Sequence, residues 1–150
     1  MPADNLVVAE PAGQHARLPP LVVDCIVLAA VLFDEAQRDA AVLAMAGKAL
    51  FAPDLLDHEI VSVALKKSAA GQNALADQAL ADLQAIRLTR CAINVADQFY
   101  LAERTGLTAF DAAYLQLALE LRAPLATFDK TLGQAAQKAL AQSGAIIKCD

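Results

Sequence analysis

Two acidic residues of this chain stand where the ends of buried strands are expected. Asp24 directly follows the apolar run 21–23, a pattern typical of a strand inside a parallel sheet. Asp129 comes shortly after a second such run, at 125–127. Because ligands bind beyond the carboxyl ends of the strands in open α/β sheets, we expect both carboxylates at one functional edge.

Two further acids fall near the beginnings of predicted helices. Glu59 lies in the second turn of a helix predicted over 54–67, between its apolar and polar faces. Asp111 lies in the first turn of a helix predicted over 108–122, beside an apolar stripe. Since the start of a crossover helix faces the same edge as the end of the strand before it, the spacing permits all four acids to meet.

Each acid also has an interpretation that involves no chemistry. Asp24 could simply end a strand or cap the next helix, and Glu59 could be a solvated helix residue. Asp111 with Thr108 fits a capping box, and Asp129 could cap the last helix. Only the agreement of the four acids on one sheet edge favours a site.

A cluster of carboxylates predicts a bound cation. Two unit charges about 5 Å apart repel each other by roughly 3 kcal/mol at an effective dielectric near 20. A hard divalent ion with oxygen ligands, Mg²⁺ or Mn²⁺, removes that penalty. Such an ion can also lower the pKa of a bound water and stabilise charge that develops on a phosphate.

The elements that must position these acids are short strands alternating with helices. We predict strands at 21–23, 49–52, 86–88, 125–127 and 145–147, and helices at 26–33, 34–46, 54–67, 73–84, 94–105, 108–122 and 131–142. This alternation predicts an α/β fold whose parallel sheet is covered on both faces. Residues 1–20, polar and rich in proline, are expected to form a flexible arm before one domain at 21–150.

Composition narrows the class of protein. The chain has 150 residues, of which 57% are hydrophobic, so one well-packed domain is expected. The longest apolar stretch, 26–33, is too short to span a membrane. Cys25, Cys91 and Cys149 show no metal-binding spacing, and no secretory signal is visible, so we expect reduced thiols in a cytoplasmic protein.

The basic residues and other motifs are less informative. The net charge of −5 argues against binding nucleic acid by bulk electrostatics, although a metal site would account for part of it. Six bases could form a rim that contacts phosphates or could be scattered on the surface: Lys66, Lys67, Arg87, Arg90, Arg104 and Lys130. No glycine-rich loop follows the first strand, which disfavours dinucleotide binding.

The chain resembles the PIN-domain family, and in particular the VapC-like ribonuclease toxins of bacterial toxin–antitoxin pairs. The resemblance runs from residue 21 to the C-terminus and is most specific over 106–129. It is carried by LVVD at 21–24, Pro53 with Glu59 and Ile60, GLTAFDAAYL at 106–115 and LATFD at 125–129.

The resemblance implies a three-layer α/β/α fold with strand order 3-2-1-4-5. It implies an endoribonuclease that depends on Mg²⁺ or Mn²⁺ and leaves 5′-phosphate and 3′-hydroxyl ends. By position, the metal-coordinating acids would be Asp24, Glu59, Asp111 and Asp129, with Thr127 supporting Asp129 or the water network of the site. It further implies a homodimer inhibited by a cognate antitoxin protein.

One position departs from the family pattern. The family commonly has Ser or Thr two residues after the first Asp, whereas this chain has Ile26. Partners of metal ligands can change metal affinity or activity by about 10- to 100-fold, so the missing hydroxyl bears on catalysis. The alternative is therefore a catalytically weak or inactive module that binds RNA or a protein. A phosphatase of the haloacid dehalogenase type would need a second Asp at this position.

Overall fold

A computed structural model of the protein describes residues 17–146, with side chains as far as Ser143. The strands in this range are β1 Pro20–Val23, β2 Ala49–Pro53, β3 Leu88–Cys91 and β4 Leu125–Ala126. The helices are α1 Cys25–Leu32, α2 Arg38–Met45, α3 Leu55–Ala69, α4 Asn73–Ala85, α5 Val95–Thr105, α6 Ala109–Leu121 and α7 Lys130–Ile146. The predicted flexible arm lies mostly outside the described residues.

The strands form one parallel sheet in the order β3-β2-β1-β4. Helices flank it in the three-layer α/β/α arrangement, so the predicted fold class is confirmed. β1 is central and its Val22 and Val23 are fully buried, as expected for a strand that helices cover on both faces. All strands point the same way, so their carboxyl ends meet along one edge.

The predicted fifth strand at 145–147 is wrong within the described residues. Ala145 and Ile146 lie in α7, and Ile147 falls outside the described range. The last helix was predicted to end at residue 142, shortly before Gly144, but a glycine inside a helix costs only about 1 kcal/mol. The alanine- and leucine-rich sequence before it favours the helix by enough to continue past it.

Two element boundaries also differ from prediction. The helix expected from residue 34 begins only at Arg38, because Asp34 adopts a left-handed conformation with φ 50° that interrupts the helix. The third strand runs over Leu88–Cys91, two residues later than predicted, since Ile86 still closes α4 by donating its amide to Asp82. It lies at the edge of the sheet.

Helix α6 packs against the centre of the sheet and carries much of the core. Its Ala113, Tyr114, Leu117 and Ala118 are buried as the apolar stripe predicted, whereas Phe110 in the first turn is 59% exposed. No helix within residues 17–146 combines the length and the apolar character that crossing a bilayer requires.

Candidate active site

Asp24 is the buried acid at the carboxyl end of β1. It is 3% exposed, and its Oδ2 accepts a hydrogen bond of 2.7 Å from the hydroxyl of Thr127. It occupies the N-cap position of α1 without a capping side-chain hydrogen bond, so the simple cap interpretation fails. Burial raises its pKa to about 6, the hydrogen bond from Thr127 opposes this rise, and the charges of Asp111 and Asp129 add to it.

Thr127 joins β4 to the beginning of α7. Its Oγ1 donates to Asp24 and accepts a bond of 3.0 Å from the backbone amide of Asp129. The carboxylate that it contacts is therefore that of Asp24, and its contact with Asp129 is through the backbone. Asp129 Oδ1 accepts a bond of 2.8 Å from the amide of Leu132, so this acid does cap α7, as the simpler interpretation proposed. Its second oxygen has no hydrogen bond from the described residues.

Glu59 reaches the same edge from α3 and is half-buried. Its Oε1 accepts a bond of 2.8 Å from the hydroxyl of Tyr114 on α6. Burial raises the pKa of Glu59, the Tyr114 bond partly offsets this, and the charges of Asp24 and Asp111 raise it further.

Tyr114 was not among the residues that the sequence singled out for the site. Its place on the apolar stripe of α6 pointed to the core, and it is indeed fully buried. The available signal was its hydroxyl, because a buried tyrosine usually needs a hydrogen-bond partner. Burial and the neighbouring Glu59 raise the pKa of Tyr114, so the phenol stays neutral and donates.

Asp111 combines a capping role with a place at the site. Its backbone amide donates to Thr108 Oγ1 over 3.2 Å, which confirms the predicted start of α6. Its half-buried carboxylate has a pKa raised by burial and by the charge of Asp129, with a hydrogen bond from Thr108 opposing the rise. The capping motif and the position beside other acids are therefore compatible.

The four acids thus lie within electrostatic range of one another at one sheet edge. Asp24 is affected by Asp111 and Asp129, and Glu59 by Asp24 and Asp111. None of the ion pairs formed by residues 17–146 includes any of the four. The cluster therefore carries negative charge that no neighbouring base of the described chain neutralises.

The carboxylate oxygens of the four acids are suitable ligands for a hard divalent cation, although they do not form a complete coordination shell by themselves. Within the described residues, no three His, Cys, Asp or Glu side chains are grouped tightly enough to hold a metal by themselves. Mg²⁺ commonly binds one or two carboxylates and completes its shell with water and substrate phosphates. One buried and three half-buried carboxylates within electrostatic range of one another match that mode of binding.

The nearest thiol is not suited to join this donor set. Cys25, buried next to Asp24, has a pKa raised to about 12 by burial and by the charges of Glu59 and Asp24. It therefore stays protonated at neutral pH, whereas a metal ligand must be a thiolate. Cys25 and Cys91 are free thiols, as expected, and Cys149 lies outside the described residues.

Two of the six bases considered for a phosphate-contacting rim have structural partners instead. Arg90 pairs with Asp57 at 2.7 Å and also donates to the carbonyls of Leu83 and Leu88. Lys67 lies 3.7 Å from Glu35. These contacts favour scattered bases over a continuous rim.

Comparison with known proteins identifies the family. The sequence model of the PIN domain matches residues 21–138, which is most of the chain and includes all four acids. The chain belongs to the PIN-domain family. Members of this family are generally metal-dependent nucleases, which makes hydrolysis of a nucleic acid the expected kind of reaction.

The PIN domain also resembles a solved structure, that of PAE2754 from Pyrobaculum aerophilum. The two chains superpose with a TM-score of 0.63 over 89% of this chain and 94% of the other, at 21% sequence identity. This likeness supports the fold. Among curated proteins, no sequence matches the chain.

Ile26 stands at the edge of the site without a hydroxyl to offer. It lies in the first turn of α1, two residues after Asp24, and its side chain is 43% exposed. The hydrogen bond to Asp24 comes instead from Thr127, on the other side of the sheet edge. In this PIN domain a threonine distant in sequence therefore supports the first acid.

Proposed function

We propose that this PIN domain is an endoribonuclease that depends on Mg²⁺ or Mn²⁺ and cleaves RNA phosphodiester bonds by metal-activated water. The observation that carries the proposal is the buried Asp24, whose charge lies near three more carboxylates and near no neutralising base of the described residues. A cation at this edge would relieve both the burial cost and the repulsion.

The residues then have separate roles. Asp24, Asp111, Asp129 and Glu59 would hold the cation, and Thr127 keeps the carboxylate of Asp24 oriented. When bound, the ion lowers the pKa of a water molecule and stabilises charge on the phosphate and on the leaving 3′-oxygen. Asp129 can take part through its second oxygen, because the first already caps α7.

The decisive experiment is cleavage of a defined panel of RNAs with the 150-residue chain, with and without Mg²⁺ or Mn²⁺. We expect cleavage only with the cation, and products with 5′-phosphate and 3′-hydroxyl ends. Cleavage that persists in excess EDTA, or no cleavage of any RNA at millimolar Mn²⁺, would contradict the proposal.

The second candidate is a catalytically weak or inactive module that binds RNA or a protein, and Ile26 favours it. The absence of a hydroxyl at this position removes one group that could hydrogen-bond a metal ligand. Calorimetry with Mn²⁺ separates the two candidates. No binding at millimolar Mn²⁺ would favour the module, whereas saturable binding together with cleavage would favour the nuclease.

We further propose that the protein is the toxin of a toxin–antitoxin pair, forms a homodimer and is blocked by an antitoxin protein. The resemblance of residues 106–129 to VapC-like toxins supports this. Exposed apolar side chains on α5 and at the start of α6 offer a surface that a protein partner could cover: Val95, Phe99 and Phe110. Light scattering tests the dimer, and rescue of growth by co-expressing a neighbouring small gene tests the antitoxin.

Replacing Thr127 by valine is expected to lower both Mn²⁺ affinity and cleavage rate by about 10- to 100-fold. Valine keeps the shape of the side chain but removes the donor to Asp24 and the acceptor for the amide of Asp129. Calorimetry and single-turnover cleavage measure the two effects. Thr89→Val, at an exposed position of edge strand β3, is the matched control and should leave both quantities unchanged. Equal affinities of Thr127→Val and the parent would show that this contact does not support the site.

A further inference from the structure

One hydrogen bond connects two helices that each carry an acid of the candidate site. Tyr114 and Asp111 are three residues apart on α6, so they lie on neighbouring turns of one face. The hydroxyl of Tyr114 donates to Glu59 Oε1 on α3 over 2.8 Å, across 55 residues of sequence. This contact relates the position of Glu59 directly to the helix that bears Asp111.

The surroundings of the bond make it a restraint on Glu59. The ring of Tyr114 is fully buried in the core, so it cannot follow a moving carboxylate. Within the described residues this is the only hydrogen bond that the Glu59 side chain makes, and its Oε2 has no protein partner. A hydrogen bond to a carboxylate is among the stronger kinds. The bond from Tyr114 therefore restricts the rotamers of the Glu59 side chain, at a cost in conformational entropy.

We propose that Tyr114 is a positioning residue of the metal site, which holds one oxygen of Glu59 and thereby presents the other to a divalent cation. The inference rests on the proposed function, because it takes Glu59 as a metal ligand. Tyr114 itself does not touch the cation, since its neutral phenol is occupied as a donor to Glu59. It acts by fixing in advance the rotamer that Glu59 would otherwise have to adopt when the metal binds.

The experiment compares Mn²⁺ affinities by calorimetry for the parent chain, Tyr114→Phe and Tyr100→Phe. Tyr114→Phe removes one hydroxyl, and we expect its dissociation constant for Mn²⁺ to rise by about 10- to 100-fold. Tyr100→Phe deletes the same group at an exposed site on α5 and is expected to bind Mn²⁺ like the parent. Circular dichroism of the metal-free variants checks that both are folded.

A double-mutant cycle separates a positioning role from a general effect on the fold. If Tyr114 acts through Glu59, then adding Tyr114→Phe to Glu59→Gln should change the Mn²⁺ affinity by less than about twofold. A purely structural role would instead give the same loss in both backgrounds. A further tenfold loss in the Glu59→Gln background would therefore overturn the inference.

The remaining outcomes are distinct. If the parent binds no Mn²⁺, the proposed function fails and this inference falls with it. If the parent binds and Tyr114→Phe binds equally well, only the inference fails. Should Tyr114→Phe not fold, Tyr114→Met serves as the second variant, because it also removes the hydroxyl and still fills the core with an apolar side chain. An unchanged Mn²⁺ affinity for Tyr114→Met would overturn the inference, and a loss of tenfold or more that disappears in the Glu59→Gln background would support it.

Discussion

Replacing Asp24 by asparagine is expected to reduce the rate of RNA cleavage by about a thousandfold, which corresponds to about 4 kcal/mol of transition-state stabilisation. Asp24 is the most buried acid of the site, and the charges of Asp111 and Asp129 act on it. Asparagine keeps the shape and can still accept the hydrogen bond from Thr127, so the substitution removes mainly the negative charge. In the proposed mechanism, that charge attracts the cation to the end of β1.

The measurement is single-turnover cleavage of one RNA at saturating Mn²⁺. Asp77→Asn is the matched control, because it makes the same chemical change at an exposed position of α4. The control should cleave at the parental rate. Full activity of Asp24→Asn, with protein purified free of contaminating nucleases, would remove Asp24 from the proposed mechanism.

The same substitution is expected to stabilise the metal-free protein at neutral pH, by about 3 kcal/mol. Folding raises the pKa of Asp24 from 3.8 to about 6, chiefly through burial. A raised carboxyl pKa means that the folded state holds the proton more tightly than the unfolded state does. The ionised group therefore costs stability, and this cost is absent below pH 4, grows between pH 4 and pH 6, and is fully present above pH 6.

Urea unfolding in the presence of EDTA, at several pH values between 4 and 7.5, measures this effect. The difference in free energy of unfolding between Asp24→Asn and the parent should be near zero at the acidic end and largest at pH 7.5. Asp77→Asn again serves as the matched control for the chemical change. Adding Mn²⁺ should stabilise the parent and not the variant. A variant less stable than the parent at pH 7.5 without metal would contradict the burial cost assigned to Asp24.

Local sequence patterns predicted where the acids of the candidate site lie, but not which residues form hydrogen bonds with them. The abrupt change from an apolar run to Asp24 placed this acid correctly, because strand direction and burial follow from local patterns. Helix starts placed Glu59 and Asp111 near the same edge for the same reason. The hydrogen-bond partners of these acids are harder to predict from local patterns. Thr127 and Asp24 are 103 positions apart in the sequence, and Tyr114 and Glu59 are 55 positions apart.

The errors in the predicted fold have one local and one tertiary cause. The last helix was predicted to end at residue 142, but the alanines and leucines before Gly144 favour helix by more than this one glycine disfavours it. The third strand was predicted from the apolar side chains of Ile86 and Leu88, whereas the ordered strand extends to Cys91. Arg90 within it pairs with Asp57 on α3, which is a tertiary contact that a local pattern does not reveal.

The position of β4 has a consequence for the protein during its own synthesis. β4 pairs with β1 and is followed after three residues by α7, so Thr127 and Asp129 come close to Asp24 only after β4 has joined the sheet. A nascent chain that stops before this point has the first three acids but neither the hydroxyl that orients Asp24 nor the fourth carboxylate. Under the proposed function, a growing polypeptide on the ribosome would therefore lack the complete set of four acids until β4 has been made and has paired with β1.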